Sequence, residues 1–258
     1  VFALALAQYS LQHPERAEEA RQALESVLEE RDDDPNLLLA LGQLLHRMNR
    51  ISEAEEVIAE LRGSRPGSPQ LISYHATLLL QLDRRAEAAD LFKLCAGGPG
   101  IGESCRSSAV ELLIELDRPG EAADLLLDSL ADDDLDQLMR TAYLLWDADR
   151  PSQALQVVQR VLRQVPDSER GRTLKAQLLI ALDEPDRAEA ALAVLPRDND
   201  VVRMSGAIAE ARGDLNAAMR IYTSLPDDPE ATLMAAAIAE ATDDWLSAMN
   251  LYSSLPDE

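Results

Sequence analysis

The sequence predicts an all-α chain, an α-solenoid of about eight antiparallel helix pairs. Three observations carry that prediction. An alanine returns at positions 17, 54, 88, 122, 154, 188, 218 and 248, with spacings of 37, 34, 34, 32, 34, 30 and 30. Residues 201–228 and 231–258 agree at 14 of 28 positions without a gap. The chain is 47% apolar but only 3% aromatic. Its core must therefore come from Leu, Ala and Val, which suit close helix packing better than a β-sandwich. A regular period of this length marks a repeat architecture, in which one helix pair cannot bury its own apolar face and neighbours share a continuous core.

The units, taken in order, run roughly 1–34, 35–67, 68–101, 102–133, 134–167, 168–197, 198–227 and 228–258, as a single array over 1–258. The apolar start from Val1 to Ala7 and the end at Leu255-Pro256-Asp257-Glu258 both stop mid-pattern, so the chain reads as an excerpt of a longer array. In the first unit, Gln12 to Ala17 forms a loose copy of the turn element: a polar or acidic residue, then a basic one or Pro, then Ala. The second unit has it as Asn49-Arg50-Ile51-Ser52-Glu53-Ala54, the third as Asp83-Arg84-Arg85-Ala86-Glu87-Ala88. The fourth, irregular around Val110, has Asp117-Arg118-Pro119-Gly120-Glu121-Ala122, and the fifth Asp149-Arg150-Pro151-Ser152-Gln153-Ala154. Looser copies follow at Asp183–Ala188, Gly213–Ala218 and Asp243–Ala248.

On each side of the turn, apolar residues fall at helical spacing. The second unit shows Leu38, Leu41, Leu45 and Met48 before it, and Ala54, Val57, Ile58 and Leu61 after it. Pro14, Pro151 and Pro185 stand near helix starts, where a missing amide costs nothing. Pro35, Pro66, Pro166, Pro196, Pro226 and Pro256 fall between units, where they are expected to stop second helices.

Twelve residues before each recurring alanine stand Ala5, Gly42, Ala76, Val110, Ala142, Ala176, Gly206 and Ala236, small except for Val110. Four residues after it, from the second unit on, stand Ile58, Phe92, Leu126, Val158, Leu192, Tyr222 and Tyr252. This pattern resembles the tetratricopeptide repeat, a helix–turn–helix of about 34 residues, over essentially the whole chain. Trp245 stands where that family often has Tyr in the turn, while the family's early aromatic in the first helix is mostly absent. The resemblance implies a right-handed superhelix with a concave groove lined by the first helix of each unit. In the family's register, the groove-facing positions are Asn36, Gln43, His46, Ser73, Thr77, Glu111, Tyr143, Trp146, Arg170, Gln177 and Arg203. Tyr143 and Trp146, three apart on one helical face, are the expected anchors; packing of Trp146 between units is the alternative. Family members that grip acidic C-termini do so with Lys, Asn and Arg. The corresponding places here hold Leu39/Gln43, Ser73/Thr77 and Ser107/Glu111, so no such clamp is expected.

The net charge of −23 disfavours nucleic acid and anionic lipid and would steer a partner with a basic patch; keeping a long protein soluble is the plainer reading of the same charge. Lys93 and Lys175 are the only lysines, a usage that suggests a GC-rich bacterial source. No apolar run approaches the length of a membrane span. Gly97-Gly98-Pro99-Gly100-Ile101-Gly102-Glu103-Ser104 imitates a phosphate loop in glycine spacing, but Glu103 stands where the motif needs Lys and a helix rather than a strand precedes it. Cys95 and Cys105 flank this loop. They read either as a disulfide, which requires an oxidising compartment, or as two separate thiols. His13, His46 and His75 lack ligand spacing, and His75 falls on a packing position. Asp32-Asp33-Asp34 and Asp132-Asp133-Asp134 lack the spacing of a calcium loop and read as helix-start charge.

No cofactor, metal or catalytic constellation is expected. The function expected from the resemblance is a non-enzymatic protein–protein interaction scaffold that recruits a partner into a larger bacterial assembly. Its periplasmic form would be the repeat region of an exopolysaccharide-export or secretion system; its cytoplasmic form would be a regulatory adaptor, or a regulatory domain of a larger enzyme. Self-association through exposed end repeats is a further expectation.

Overall fold

The computed structural model describes residues 2–10, 12–30 and 34–255. These form sixteen α-helices, with no strand among the described residues. The chain divides into two compact units, Val1–Asp128 and Ser129–Glu258. The first holds α1 (Phe2–Ser10), α2 (Ala17–Glu30), α3 (Pro35–Arg47), α4 (Ile51–Ser64), α5 (Pro69–Gln81), α6 (Arg85–Cys95), α7 (Gly102–Glu115) and α8 (Pro119–Leu127). The second holds α9 (Leu135–Asp147), α10 (Pro151–Gln164), α11 (Glu169–Ala181), α12 (Pro185–Leu192), α13 (Asn199–Ala211), α14 (Leu215–Tyr222), α15 (Pro229–Ala241) and α16 (Trp245–Ser253). Successive odd and even helices pack as hairpins, and within each unit each even helix packs on the next odd one. No described helix is long and apolar enough to cross a membrane.

The repeated turn element has a backbone cause. Asn49, Asp83, Asp117, Asp149, Asp183, Gly213 and Asp243 all adopt φ between 55° and 75°. Each ends a first helix in the left-handed conformation, which Asn and Asp tolerate better than other side-chain-bearing residues. The next amide then reaches back to close the helix end: Arg50 N donates to Leu45 O at 2.9 Å, and Asp244 N to Ala239 O at 2.9 Å. That closure satisfies carbonyls the helix would otherwise leave open.

Beyond each turn, one small residue from each helix brings the pair together. Ala54, Ala88, Ala122, Ala154, Ala188, Ala218 and Ala248 are all buried. A side chain at Gly42 would stand 2.6 Å from Ile58 Cδ1, and one at Gly206 would stand 2.7 Å from Tyr222 Cζ. In these two hairpins the large residue four places after the anchor therefore lies directly over the small residue of the partner helix.

The first hairpin departs from the expected register. Pro14–Arg16 form a 3₁₀ turn in place of the left-handed closure, and the anchor shifts. Ala17 is half-buried, whereas Ala20 and Leu24 are sealed at 0% exposure. Ala5 is exposed while Ala3 and Ala7 are buried. Counted from Ala20, the next anchor Ala54 lies 34 residues on, so the apparent 37-residue spacing came from a longer turn in front of an ordinary repeat.

Pro35, expected to stop a helix, instead opens α3 at its first position, as do Pro69, Pro119, Pro151, Pro185 and Pro229 in their helices. Asp34 and Asp134 cap α3 and α9 through their carboxylates, accepting from Asn36 N and Gln137 N at 2.9 Å. Asp32, Asp33, Pro256, Asp257 and Glu258 lie outside the described residues.

The glycine run at 97–102 is needed for packing. A Cβ on Gly98 would stand 2.6 Å from Pro69 Cγ, one on Gly102 would stand 2.7 Å from Ala96 O, and Gly100 has φ 80°. The run lets α6 turn tightly into α7, and the structure joins Cys95 to Cys105 across it, with Cα atoms 5.8 Å apart. Surface ion pairs then link neighbouring hairpins, Arg85–Glu115 at 3.0 Å and Arg118–Asp90 at 3.1 Å, and Arg160–Asp132 at 2.6 Å ties α10 to the connection before α9. Pairs this exposed contribute about 0–1 kcal/mol each, so apolar burial, at roughly 1.5–3 kcal/mol per sealed Leu or Ile, carries the stability.

Candidate functional site

In the first helices, the residue that follows the small packing position points away from the second helix, because successive helical residues are rotated by about 100°. Gln43, Thr77, Glu111, Tyr143 and Gln177 occupy that place and are exposed. Asn36 and Arg170, nearer their helix starts, are exposed as well, while His46, Trp146 and Arg203 are half-buried.

In the first unit, His46 is engaged locally. Its Nδ1 lies 3.0 Å from Tyr74 Oη, and its Nε2 lies 3.0 Å from Gln81 Nε2. The Gln81 amide nitrogen can only donate, so with it at His46 Nε2 that ring nitrogen accepts and Nδ1–H donates to Tyr74. Burial pushes the Tyr74 phenol up to about 12, so it stays neutral. Thr77 donates to Ser73 O at 2.9 Å. His75 is buried and packs its Nε2 2.8 Å from Glu55 Oε1, which also meets Arg84 at 3.2 Å.

The second unit gathers predicted residues into a cavity. An open cleft of about 380 Å³ lies along α9, α11 and α13, lined by Tyr143, Glu169, Arg170, Thr173, Leu195, Asp198, Asp200, Val201 and Met204. Tyr143 comes from α9, whose start is fixed by the Asp134 cap. Arg170 sits in the first turn of α11, where Ser168 Oγ accepts from Gly171 N at 3.1 Å. Asp198 caps α13 by accepting from Val201 N at 2.9 Å, which sets Val201 and Met204 at the cleft. The result is an aromatic ring and a guanidinium beside an apolar patch of Leu195, Val201 and Met204. The Arg170 side chain has no ion pair or hydrogen bond among the described residues, whereas Arg203 is committed to Asp200 at 2.6 Å, Asp228 at 3.1 Å and Glu230 at 2.8 Å. Opposing carboxylates therefore occupy Arg203 and leave Arg170 open to a ligand.

Trp146 stands one turn beyond Tyr143 and is not part of the cleft lining, and Gln177 is exposed outside it. Tyr74, Leu195, Asp200 and Met204 were not anticipated as site residues. Asp200 had a readable signal, its three-residue spacing from Arg203; Leu195 lies on an irregular connection with no periodicity to reveal it.

The family model described as "Tetratricopeptide repeat" matches residues 11–78 and 145–211. Among solved structures, the chain resembles the complex titled "Structure of Naa15/Naa10 bound to HypK-THB", with a TM-score of 0.64 at 12% identity. The match covers 93% of this chain and 39% of that one. A tetratricopeptide repeat protein from Parabacteroides merdae ATCC 43184 aligns over 86% of this chain and 90% of its own, at 13% identity and a TM-score of 0.43. No curated protein matches the sequence.

Proposed function

The chain belongs to the tetratricopeptide-repeat family, a generally non-catalytic scaffold fold for protein–protein contact, and from that premise we propose that it holds a partner protein in the α9–α11–α13 cleft and carries out no chemistry of its own. The observation that carries this reading is the meeting of Tyr143 and the unpaired Arg170 in one open cleft. An aromatic and an arginine beside an apolar patch are the side chains that dominate binding energy at protein interfaces. The cleft takes an extended or helical segment with an apolar residue for Leu195, Val201 and Met204 and an acceptor for Arg170. The remaining surface, at a net charge of −23, attracts a partner whose flanks are basic.

The proposed setting is a larger bacterial assembly in the cell envelope, such as an exopolysaccharide-export or secretion system. The Cys95–Cys105 bond supports an oxidising compartment. Whether the precursor carries a signal peptide tests the setting. Capture of partner proteins by the whole chain, compared with Tyr143→Ala/Arg170→Ala and with Gln177→Ala, tests the site. Loss of a partner with the first variant and its retention with the second supports the cleft; equal capture by all three would refute it.

A further inference from the structure

We infer that a second docking site, independent of that cleft, lies between α2 and α4 and takes a basic amphipathic segment of a partner protein. The groove has a volume of about 280 Å³. Its apolar floor is Leu28, Leu38, Leu41 and Val57, and its rim is Glu25, Glu29 and Glu60. Leu38 and Leu41, from α3, are nearly sealed, while Leu28 and Val57 on the flanking helices remain half-exposed. Glu25 is already paired with Arg21. Glu29 and Glu60 have no ion pair or hydrogen bond among the described residues, in a protein whose carboxylates pair widely with arginine.

Two carboxylates whose side chains have no partner among the described residues, above partly open leucine and valine, match the two-part chemistry of a lysine or arginine. Its methylene stem lies on the apolar floor while its head meets the charge. An acidic peptide would be repelled, and a purely apolar one would leave the glutamates without counter-charge. The electrostatic half of this match is particular to this groove. The corresponding gap in the second unit, about 560 Å³ and lined by Leu192, Val202 and Ile221, balances Arg197 and Arg212 against Glu189 and Asp214, and Arg212 already meets Asp186 and Glu189, whereas the first groove is lined by carboxylates with no cation. Arg197 falls nine residues after its anchor (188 to 197), as Glu29 does (20 to 29), but on the connection beyond α12, whereas Glu29 is still within α2. The two grooves occupy the same place in the repeat but differ in charge, so a cationic segment is directed to the first, with the net charge of −23 raising its local concentration.

The test uses the whole chain and fluorescence anisotropy with a short amphipathic leucine/lysine peptide. Its leucine/glutamate counterpart serves as the charge control. Glu29→Gln/Glu60→Gln is expected to weaken binding of the leucine/lysine peptide by roughly three- to tenfold. Leu28→Ser is expected to weaken it as well, including at high salt, where screening removes the electrostatic share. Asp133→Asn/Asp227→Asn, which removes the same charge elsewhere, is expected to leave binding nearly unchanged. Equal losses in the two double variants would overturn the site in favour of non-specific charge attraction, as would equal binding of the glutamate peptide. Failure here leaves the α9–α11–α13 cleft untouched, because that cleft is tested by Tyr143 and Arg170.

Discussion

Substituting Gly206 by alanine probes directly how the hairpins close. Its Cβ would enter the Tyr222 ring, standing 2.7 Å from Cζ and 2.9 Å from Cδ1. The ring cannot swing aside, because Tyr222 is only 2% exposed and packs against Ala218, Ala231, Ala235 and Ile238. Overpacking of this kind costs about 1–3 kcal/mol, while Gly→Ala within a helix returns about 1 kcal/mol, so the net effect is a loss of up to about 2 kcal/mol rather than a gain. Gly42→Ala meets Cδ1 and Cγ1 of Ile58, which is as sealed as Tyr222, and should lose a comparable amount. Gly63→Ala, with nothing within 4 Å, should gain about 0.5–1 kcal/mol. The chain already contains the remedy. Ala176 faces Leu192 in the sixth hairpin, at the places that Gly206 and Tyr222 hold in the seventh. Gly206→Ala/Tyr222→Leu should therefore be more stable than the sum of its single variants allows. Urea unfolding followed by far-ultraviolet circular dichroism gives the ranking, and hydrogen exchange in α13–α15 localises the loss. A Gly206→Ala protein that gains stability as Gly63→Ala does, or strictly additive variants, would refute small-on-large closure.

Reduction of Cys95–Cys105, or Cys95→Ala/Cys105→Ala, should lower stability by about 2–3 kcal/mol from the ten-residue loop it closes; unchanged urea midpoints with and without reductant would contradict a role for the bond. Glu121, hydrogen-bonded to Arg118 and Lys93, has its carboxyl lowered from 4.5 to about 2. Its stabilising effect is therefore complete above pH 4.5 and disappears as pH falls through about 2. Because the side chain is 38% exposed, the effect should be under about 1 kcal/mol. Glu121→Gln should flatten that part of the stability–pH curve, and a curve identical to the parent's would show that the pair contributes nothing.

Much of the fold was legible because it is periodic. The anchoring alanines and the small residues twelve before them fix which helix faces meet, and close packing forces that pairing. The turn element was visible as a pattern, though its reason, a left-handed backbone at Asp or Asn, is a dihedral angle that no composition displays. The first hairpin misled for a physical cause. A 3₁₀ turn lengthens the connection, so counting residues from the turn selected Ala17 when burial selects Ala20. The candidate sites were less legible. Tyr143 and Arg170 could be placed on exposed faces by helical rotation, yet their meeting depends on how α9, α11 and α13 lie side by side and on Leu195 from an irregular loop. The fate of Arg203 depended on Asp228 and Glu230, more than twenty residues away.

The sequence by itself determined that this chain is an array of helical hairpins. Each hairpin needs neighbours to cover its apolar face, and that need is written into every repeat at short range. Only the tertiary structure decided which side chains remain free to bind. Whether an arginine or glutamate is satisfied depends on charges brought in from the next hairpin, and whether a leucine is sealed depends on what the neighbouring helices lay across it.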